Sequence, residues 1–282
     1  MNTRREFLKT SGAFTVGSLF FSCMAKEQEK SAIVKNIGIQ LYTVRKEMLA
    51  DAVGTLKKLA AIGYKELESA RSEKGNYYGL PAKEVKKIVE DLGMHMRSGH
   101  VHIDENWQQS IDQAVEAGQE YLICSTMPSK GQTVENYQRV ADAFSKAGED
   151  CKKANLVFGY HNHDYEFEKA GDQVLYDVLL DKSDPNLVKM ELDLGWVIAT
   201  GSDPLHYFEK YPGRFPLWHL KDMDLAKKQS TEFGKGKVNI AQMLQHAKQS
   251  GMQYYFVEQE EYANTAFESI QHNYNYLAKL KV

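Results

Sequence analysis

The 282-residue sequence contains only three cysteines and six prolines, and it has no excess of positive charge. With 35 basic and 38 acidic residues the net charge is −3, so the electrostatic signature of a nucleic-acid-binding protein is missing. Cys124 and Cys151 lie in an apolar run and in a helical pattern, and we expect both to be buried free thiols. Cysteines that are so few and so placed exclude a fold stabilised by a framework of disulfide bonds. The hydrophobic content of 43% is instead ample for the core of a soluble globular protein.

A hydrophobic run long enough for a membrane span is also missing at the amino terminus. The run from Gly12 to Phe21 is shorter than the about 20 apolar residues that a spanning helix needs. It follows Arg4 and Arg5 in the stretch TRREFLK, which resembles a twin-arginine export signal. We therefore expect residues 1–22 to be an export signal.

Cys23 follows this segment in a loose lipobox and is expected to be the lipidated first residue of the mature chain. Cleavage after Ala25 without a lipid is the alternative. Residues 23–35 are polar and predict a tether, and removal of residues 1–22 leaves 32 basic and 37 acidic residues. We expect an exported bacterial protein, either periplasmic or a membrane-anchored lipoprotein, with a lipid on Cys23 as its one membrane contact.

Beyond the tether, short apolar runs alternate with longer amphipathic ones. The strand-like runs are NIGIQLYT (36–43), YKELE (64–68), MHMRSGH (94–100), YLICST (121–126), LVFGYH (156–161), VKMELD (188–193), FPLWHL (215–220) and YYFVEQ (254–259). Helical periodicity marks the intervening segments, among them 51–63, 81–93, 133–155, 239–251 and 267–280. Strict alternation of strand and helix requires parallel strands with crossover helices.

Eight such units in about 250 residues are typical of a single-domain (β/α)₈ TIM barrel, which we predict for residues 36–282. An open doubly wound sheet is the rival, but no glycine-rich phosphate turn follows the first strand. In a barrel of this kind, chemistry lies at the carboxyl ends of the strands.

Four ionisable residues close four consecutive predicted strands: His161, Asp193, His219 and Glu258. Neighbouring strands lie about 4.8 Å apart, so inward side chains at these ends can converge on one ion. Any one of them alone would be interpreted as a solvated strand end. Because a barrel groups all four in one place, the set favours a metal site.

Residues 35–282 resemble the xylose isomerase-like barrel proteins that are often called sugar phosphate isomerases/epimerases. The matching segments are GYKELE, YHNHDYEF, ELDLGW, WHLKDMD, GKGKVNI and YFVEQEE, in that order. In the epimerases of this family a divalent metal is held by Glu, Asp, His and Glu, and the two glutamates exchange protons with the substrate. His161 stands where those epimerases carry the first glutamate, which puts a two-base mechanism in doubt. The YHNH and HxKD motifs look more like a branch that acts on inositol-type ketones or 3-keto sugars.

The predicted ligand set of two imidazoles and two carboxylates suits Mn²⁺, Co²⁺ or Zn²⁺ better than Mg²⁺. Glu258 is the predicted catalytic base, because it can both coordinate the metal and reach a substrate carbon. Lys221 is predicted as a second catalytic residue, a cation or acid near the developing oxyanion. A water-facing salt bridge from Lys221 to Asp222 is the alternative.

Five further residues are predicted to bind substrate: Glu68, His100, His163, Trp196 and Asp222. His163 lies on the same strand face as His161 and is the alternative metal ligand. Trp196 replaces a histidine that many relatives carry and is expected to stack on a sugar face. Asp164 and Glu166 are interpreted as a solvated loop, and Glu191 as a carboxylate that supports the metal ligands from behind.

The resemblance implies a divalent-metal-dependent isomerase or epimerase that acts through an enediolate. Scarcity of sugar phosphates outside the cytoplasm favours an unphosphorylated sugar, keto sugar or polyol as the small-molecule partner. A lyase, dehydratase or hydrolase of 3-keto glycosides is the first alternative, and a non-catalytic carbohydrate-binding lipoprotein is the second. No nucleic-acid partner is expected, and self-association is left open.

Overall fold

The computed structural model describes residues 36–281, and within them eight parallel strands form a closed barrel. The barrel strands are β1 (Gly38–Gln40), β2 (Glu66–Ala70), β3 (His95–Val101), β4 (Tyr121–Cys124), β5 (Val157–His161), β8 (Val188–Asp193), β9 (Leu217–Leu220) and β12 (Tyr254–Val257). Each lies within or overlaps one of the predicted strand-like runs. Their order around the barrel is β1-β12-β9-β8-β5-β4-β3-β2. The pairing of β1 with β12, in which Gly38 lies opposite Phe256, closes the ring. The predicted (β/α)₈ TIM barrel is therefore confirmed, and the open sheet is excluded.

Helices occupy the connections between successive barrel strands and surround the barrel. They are α1 (Arg45–Ala50), α2 (Ala52–Ile62), α3 (Ala82–Asp91), α4 (Trp107–Ala117), α5 (Val134–Lys153), α6 (Leu175–Lys182), α7 (Leu194–Ala199), α8 (Pro204–Lys210), α9 (Ile240–Gln245), α10 (Ala247–Ser250) and α11 (Ala266–Lys279). The segment predicted as one helix over 239–251 is thus interrupted at His246, and Gly251 ends it in the left-handed conformation at φ 83°. Two 3₁₀ helices, Leu41–Val44 and Tyr165–Phe167, follow β1 and β5.

Two short hairpins extend the carboxyl-terminal side of the barrel. They are formed by β6 (Lys169–Ala170) with β7 (Gln173–Val174), and by β10 (Asp222–Asp224) with β11 (Gln229–Thr231). Strands of two or three residues show no periodicity, so the sequence did not predict them.

Side chains on the inner barrel wall change from apolar to ionisable along the strands. Leu217 on β9 and Phe256 on β12 pack together with Tyr121 and Ile123 at the amino-terminal end. Trp218, the next residue on β9, points outward and stacks on Phe208 with ring centroids 4.8 Å apart. Because side chains alternate along a strand, the next inward position after Leu217 is His219.

The two cysteines within residues 36–281, Cys124 and Cys151, are buried and free, as predicted. Among the helices of this part of the chain, none is both long and apolar enough to cross a bilayer. The expected export signal, the tether and Cys23 lie outside the described residues.

Candidate metal centre

The barrel register brings the four predicted ligands together at the carboxyl-terminal ends of adjacent strands. Asp193 of β8 lies opposite His219 of β9, and Glu258 follows the last residue of β12. With His161 of β5 they each offer one ligand atom, and these atoms all lie within 4.8 Å of one another. All four residues are buried, from 0% exposed for Asp193 and His219 to 5% for Glu258. We call these four residues the outer group.

A second set of ionisable residues lies one layer deeper in the barrel. His100 and Glu191 offer ligand atoms that lie within 4.8 Å of His161 and His219. Glu191 precedes Asp193 by two residues on β8, so it points inward one layer below it. Glu68 of β2 reaches the same layer, with its Oε1 2.7 Å from Nε2 of His219 and 3.3 Å from Nε2 of His100. We call Glu68, His100 and Glu191 the inner group.

The imidazoles of His161 and His219 lie between the outer carboxylates, Asp193 and Glu258, and the inner group, and each presents one nitrogen to either side. Nδ1 of His219 is 2.9 Å from Glu258 Oε2 and 3.8 Å from Asp193 Oδ2, whereas its Nε2 faces the inner group. Nε2 of His161 is 4.0 Å from Asp193 Oδ2, whereas its Nδ1 is 3.3 Å from Glu191 Oε2.

The electrostatics of the outer group fit a divalent cation. Burial, together with the neighbouring His219, lowers the pKa of His161 well below its usual value, so this ring is neutral and has a lone pair to give. Asp193 Oδ2 makes a 2.8 Å ion pair with Lys221 Nζ but no aligned hydrogen bond. Buried carboxylates without enough partners are costly unless they bind a cation. The residues present therefore suit a metal ion. Of the two candidate histidines, His161 belongs to the outer group, whereas His163 is stacked beside Tyr165.

Lys221 is the cation that the protein itself places among these carboxylates. Its Nζ lies 2.8 Å from Asp193 Oδ2, Glu258 Oε2 and Glu260 Oε1, and the residue is fully buried. The neighbouring Gly195 makes room for it, since a Cβ there would approach the Lys221 side chain to 2.8 Å. The geometry contradicts the water-facing Lys221–Asp222 salt bridge that was the alternative.

Asp222 lies away from the cavity, contrary to the prediction that it binds substrate. Its carboxylate accepts hydrogen bonds from four backbone N–H groups at 2.9–3.0 Å, those of Met223, Gly234, Gly236 and Val238. A carboxylate that is saturated in this way organises the loop containing GKGKV and is not available to a ligand.

Glu68 is also placed differently from the prediction. The sequence indicated that its strand ended at residue 68, but β2 continues to Ala70, with a register irregularity between Leu67 and Glu68. Its side chain consequently lies below the rim, fully buried, where it accepts a hydrogen bond of 2.8 Å from Gln40 Nε2. Its partners are barrel residues, not a ligand.

A cavity of about 240 Å³ opens at the carboxyl-terminal face of the barrel. Its walls are formed by Tyr42, Ala70, Arg71, His100, His102, Ser125, Thr126, His161, His163, Glu258 and Glu260. His100 and His163, both predicted to bind substrate, therefore face it. Trp196, predicted to stack on a sugar, is not part of this lining; it packs against the core, and Lys221 Nζ covers one face of its ring at 4.8 Å from the centre.

Burial of the groups around this cavity sets their protonation. Although burial opposes the charged form, the carboxylates of Glu68 and Glu191 raise the pKa of His100 to about 9. Burial, together with the charge of Lys221, lowers the pKa of His163 to about 4, so this ring is neutral. Of the two predicted substrate-binding histidines that face the cavity, His100 is therefore cationic and His163 neutral.

Asp164 is exposed, as expected for a solvated loop, whereas Glu166 contradicts that interpretation. It is fully buried, accepts a hydrogen bond from the hydroxyl of Tyr160, and accepts a second of 2.9 Å from the backbone N–H of His163. Burial raises its pKa to about 7. This carboxyl group holds the turn that carries His163 into the cavity.

Arg71 and Glu260 line the cavity but were not among the predicted site residues. Arg71 follows β2 directly and pairs with Asp104. Glu260 follows Glu258 by two residues, so the alternation along an extended chain could have indicated that it faces the same way. Arg71 had no such signal, because the predicted strand stopped three residues before it.

Comparison with known proteins agrees with the fold and with the motifs. A family model described as xylose isomerase-like TIM barrel matches residues 56–280. An inosose dehydratase from Clostridium perfringens is 30% identical over 108 residues, which cover 38% of this chain and 35% of that enzyme. The matched stretch thus spans about a third of the length of this curated relative.

Two solved structures are similar over most of the barrel. A sugar phosphate isomerase/epimerase from Parabacteroides distasonis is 29% identical, with a TM-score of 0.78 over 87% of this chain and 98% of that one. The IOLI protein, solved with a bound zinc atom, is 13% identical with a TM-score of 0.67, over 86% of this chain and 96% of that one. The similarity to the IOLI protein establishes the fold alone.

Proposed function

The chain belongs to the xylose isomerase-like TIM barrel family, and we propose that it is an enzyme that removes the proton next to a carbonyl group of a small, uncharged carbohydrate. The observation that carries this proposal is the position of Glu258. Its carboxylate belongs to the outer group and also lines the cavity. It is therefore placed to contact both a metal ion and a substrate carbon.

The residues that would hold the metal are His161, Asp193, His219 and Glu258. Two imidazoles with two carboxylates suit Mn²⁺, Co²⁺ or Zn²⁺. When bound, such an ion supplies a Lewis acid that stabilises negative charge on substrate oxygens.

The charges around Glu258 keep its carboxylate ionised. Burial would raise its pKa, but Lys221 and His219 overcome this effect and lower the pKa well below the usual value. The carboxylate is therefore ionised at neutral pH and can accept a proton. Lys221 keeps its own proton, because Asp193 and Glu258 raise its pKa despite burial, and it supplies a fixed positive charge beside the base.

The cavity lining favours an uncharged substrate. Arg71 is the one lysine or arginine among the described lining residues, and its guanidinium is paired with Asp104. A phosphate would require an unpaired cation or a nest of backbone N–H groups. Hydroxyl and imidazole side chains, such as those of Ser125, Thr126 and His163, can instead form hydrogen bonds with sugar hydroxyls. We propose a neutral sugar, keto sugar or polyol, with isomerisation or epimerisation as the outcome.

A second candidate outcome is dehydration of a keto sugar or inosose, and one observation favours it. The resemblance implies a second glutamate where this chain has His161, and Glu258 is the one carboxylate of the outer group that lines the cavity. Proton removal by one base followed by loss of a β-hydroxyl group needs no second carboxylate. The similarity to inosose dehydratase supports this outcome, although it covers only part of that enzyme.

The experiment that tests the proposal is proton exchange in D₂O. The metal-loaded protein is incubated with 3-keto sugars and inososes, and deuterium at the α-carbon is followed by NMR. We expect deuterium incorporation in wild type and a loss of at least about 10²-fold in Glu258→Gln, the usual contribution of a positioned base. Full exchange in Glu258→Gln would remove Glu258 as the base.

Mass spectrometry of the same reaction mixtures separates the two outcomes. A product of unchanged mass apart from deuterium indicates isomerisation or epimerisation, and loss of water indicates dehydration. Glu66→Gln is the matched control, because Glu66 is a buried glutamate on the same barrel that pairs with Arg97 at the opposite end. It should retain full exchange.

A further inference from the structure

His161 and His219 stand between two layers of carboxylates, so either layer could in principle face a metal ion. An imidazole that ligates a metal ion is neutral, with one N–H and one lone pair, and only the nitrogen with the lone pair can ligate. The other nitrogen must donate its proton to an acceptor, since both rings are almost fully buried. The tautomer of each ring therefore decides which layer holds the ion.

Glu68 is the acceptor that the structure provides for His219. Its Oε1 lies 2.7 Å from Nε2 of His219, on the side of the ring opposite to Glu258. Gln40 Nε2 donates to the same oxygen at 2.8 Å and fixes the position of the carboxylate. Glu68 is 0% exposed and so cannot relax toward water.

Glu191 takes the corresponding place beside His161. Its Oε2 lies 3.3 Å from Nδ1 of His161, on the side opposite to Asp193 and without an aligned hydrogen bond, and 3.2 Å from Nε2 of His219. His100 Nε2 lies 2.6 Å from this Glu191 oxygen and 3.3 Å from Glu68 Oε1, and so links the two inner carboxylates. The inner group is thus one connected network beneath both rings.

We propose that Glu68 and Glu191 are positioning residues that keep protons on Nε2 of His219 and Nδ1 of His161, and thereby direct the opposite nitrogens of both rings toward a metal ion held with Asp193 and Glu258. This inference rests on the metal-binding half of the proposed function. The outer side is selected because one of its carboxylates, that of Glu258, forms part of the cavity wall, whereas neither inner carboxylate, Glu68 or Glu191, lines the cavity. Carboxylates that hydrogen-bond to ligating histidines fix the ring orientation and raise ligand basicity.

The test uses zinc binding, measured by competition with a chromophoric chelator, and histidine tautomers, observed by long-range ¹H–¹⁵N NMR of the zinc-loaded protein. In wild type we expect zinc on Nδ1 of His219 and on Nε2 of His161, with protons on the other nitrogens. Glu68→Ala should weaken zinc binding about 10–100-fold and mix the tautomers of His219. Glu68→Gln, which keeps an acceptor oxygen, should recover most of the affinity.

Glu191→Ala should act in the same way on His161, and Glu66→Gln is the matched control that leaves affinity and tautomers unchanged. Zinc found on Nε2 of His219 and Nδ1 of His161 would overturn the inference, because Glu191 and His100 would then be ligands. Unchanged affinity and tautomers in Glu68→Ala would overturn it as well. Absence of zinc binding in wild type would contradict the proposed function too, whereas the first two results leave that function standing.

Discussion

Lys221 holds a positive charge in a part of the barrel from which water is almost excluded. Its Nζ is 2.8 Å from oxygens of Asp193 and Glu258, two members of the outer group. A divalent cation on the same oxygens would meet a like charge at short range, where the effective dielectric constant is low. Lys221 therefore opposes metal binding while its charge keeps the pKa of Glu258 low.

This competition gives a prediction for Lys221→Met. We expect the affinity for Mn²⁺ or Zn²⁺ to rise by about tenfold or more, which corresponds to about 1.4 kcal/mol, while turnover falls. Isothermal titration calorimetry measures the first effect, and Lys210→Met, at a surface ion pair with Asp177, is the control. Weaker metal binding in Lys221→Met would mean that the ammonium group positions the carboxylates and does not compete.

His161 and His163 are distinguished by a paired substitution. His161→Ala should lower metal affinity by more than the about 10–100-fold that loss of a ligand's hydrogen-bond partner costs. His163→Ala should leave metal content unchanged and raise KM, because this ring lines the cavity without joining the outer group. Metal analysis after dialysis decides between them, and the opposite pattern would assign the ligand to His163.

The ligand candidates could be predicted because each ends or directly follows a strand, a position that the apolar pattern marks well. How deep each side chain lies in the barrel, and which way it points, could not be predicted. Glu68 lies below the rim because β2 is two residues longer than its apolar run. Asp222 is turned away by the hairpin that follows β9, and its backbone partners are up to 16 residues distant in the chain. Contacts of this kind leave no local signal.

At the scale of elements, the turn after β5 is built around the buried carboxyl group of Glu166. Its pKa of about 7 lies above that of an exposed glutamate, near 4.3. Between these two values the folded state keeps a proton that the unfolded state has lost. Stability therefore falls as the pH rises from about 4.3 to 7.

Glu166→Gln should remove this pH dependence, because the amide stays neutral, its oxygen can still accept from the N–H of His163, and its NH₂ group can donate to the hydroxyl oxygen of Tyr160. Relative to wild type, the variant should gain about 3 kcal/mol in the free energy of unfolding between pH 4 and pH 8, at 1.36 kcal/mol for each pKa unit. Urea denaturation at both pH values measures the difference. Parallel pH profiles would show that Glu166 titrates normally.

Apolar residues recur with a strong period in the strands and long helices of this fold, and these elements were predicted with nearly correct bounds. The helix over 133–155 is observed as Val134–Lys153, for example, and Thr133 caps it by accepting from Asn136 N. The two hairpins were missed because each strand has only two or three residues. Both lie in connections after site-bearing strands, where barrels of this class place functional loops.

At the scale of the whole molecule, ligands of the outer group come from β5, β8, β9 and the end of β12, strands that are far apart in sequence. A metal ion that binds only the folded barrel must therefore stabilise the entire domain. At a free concentration 100 times Kd the gain is about 2.7 kcal/mol. For a domain of this size, we expect Tm to rise by roughly 5–10 °C. Differential scanning calorimetry with and without chelator measures it, and an Asp193→Ala/His219→Ala variant should show no shift.

The central claim is that the barrel mouth is a metal centre, and elemental analysis of the purified protein tests it most directly. The account predicts about one equivalent of Mn, Co or Zn per chain in wild type, lost in the Asp193→Ala/His219→Ala variant and retained in Glu66→Gln. A wild-type protein that holds no metal even after reconstitution, or a double variant that keeps its full equivalent, would contradict it.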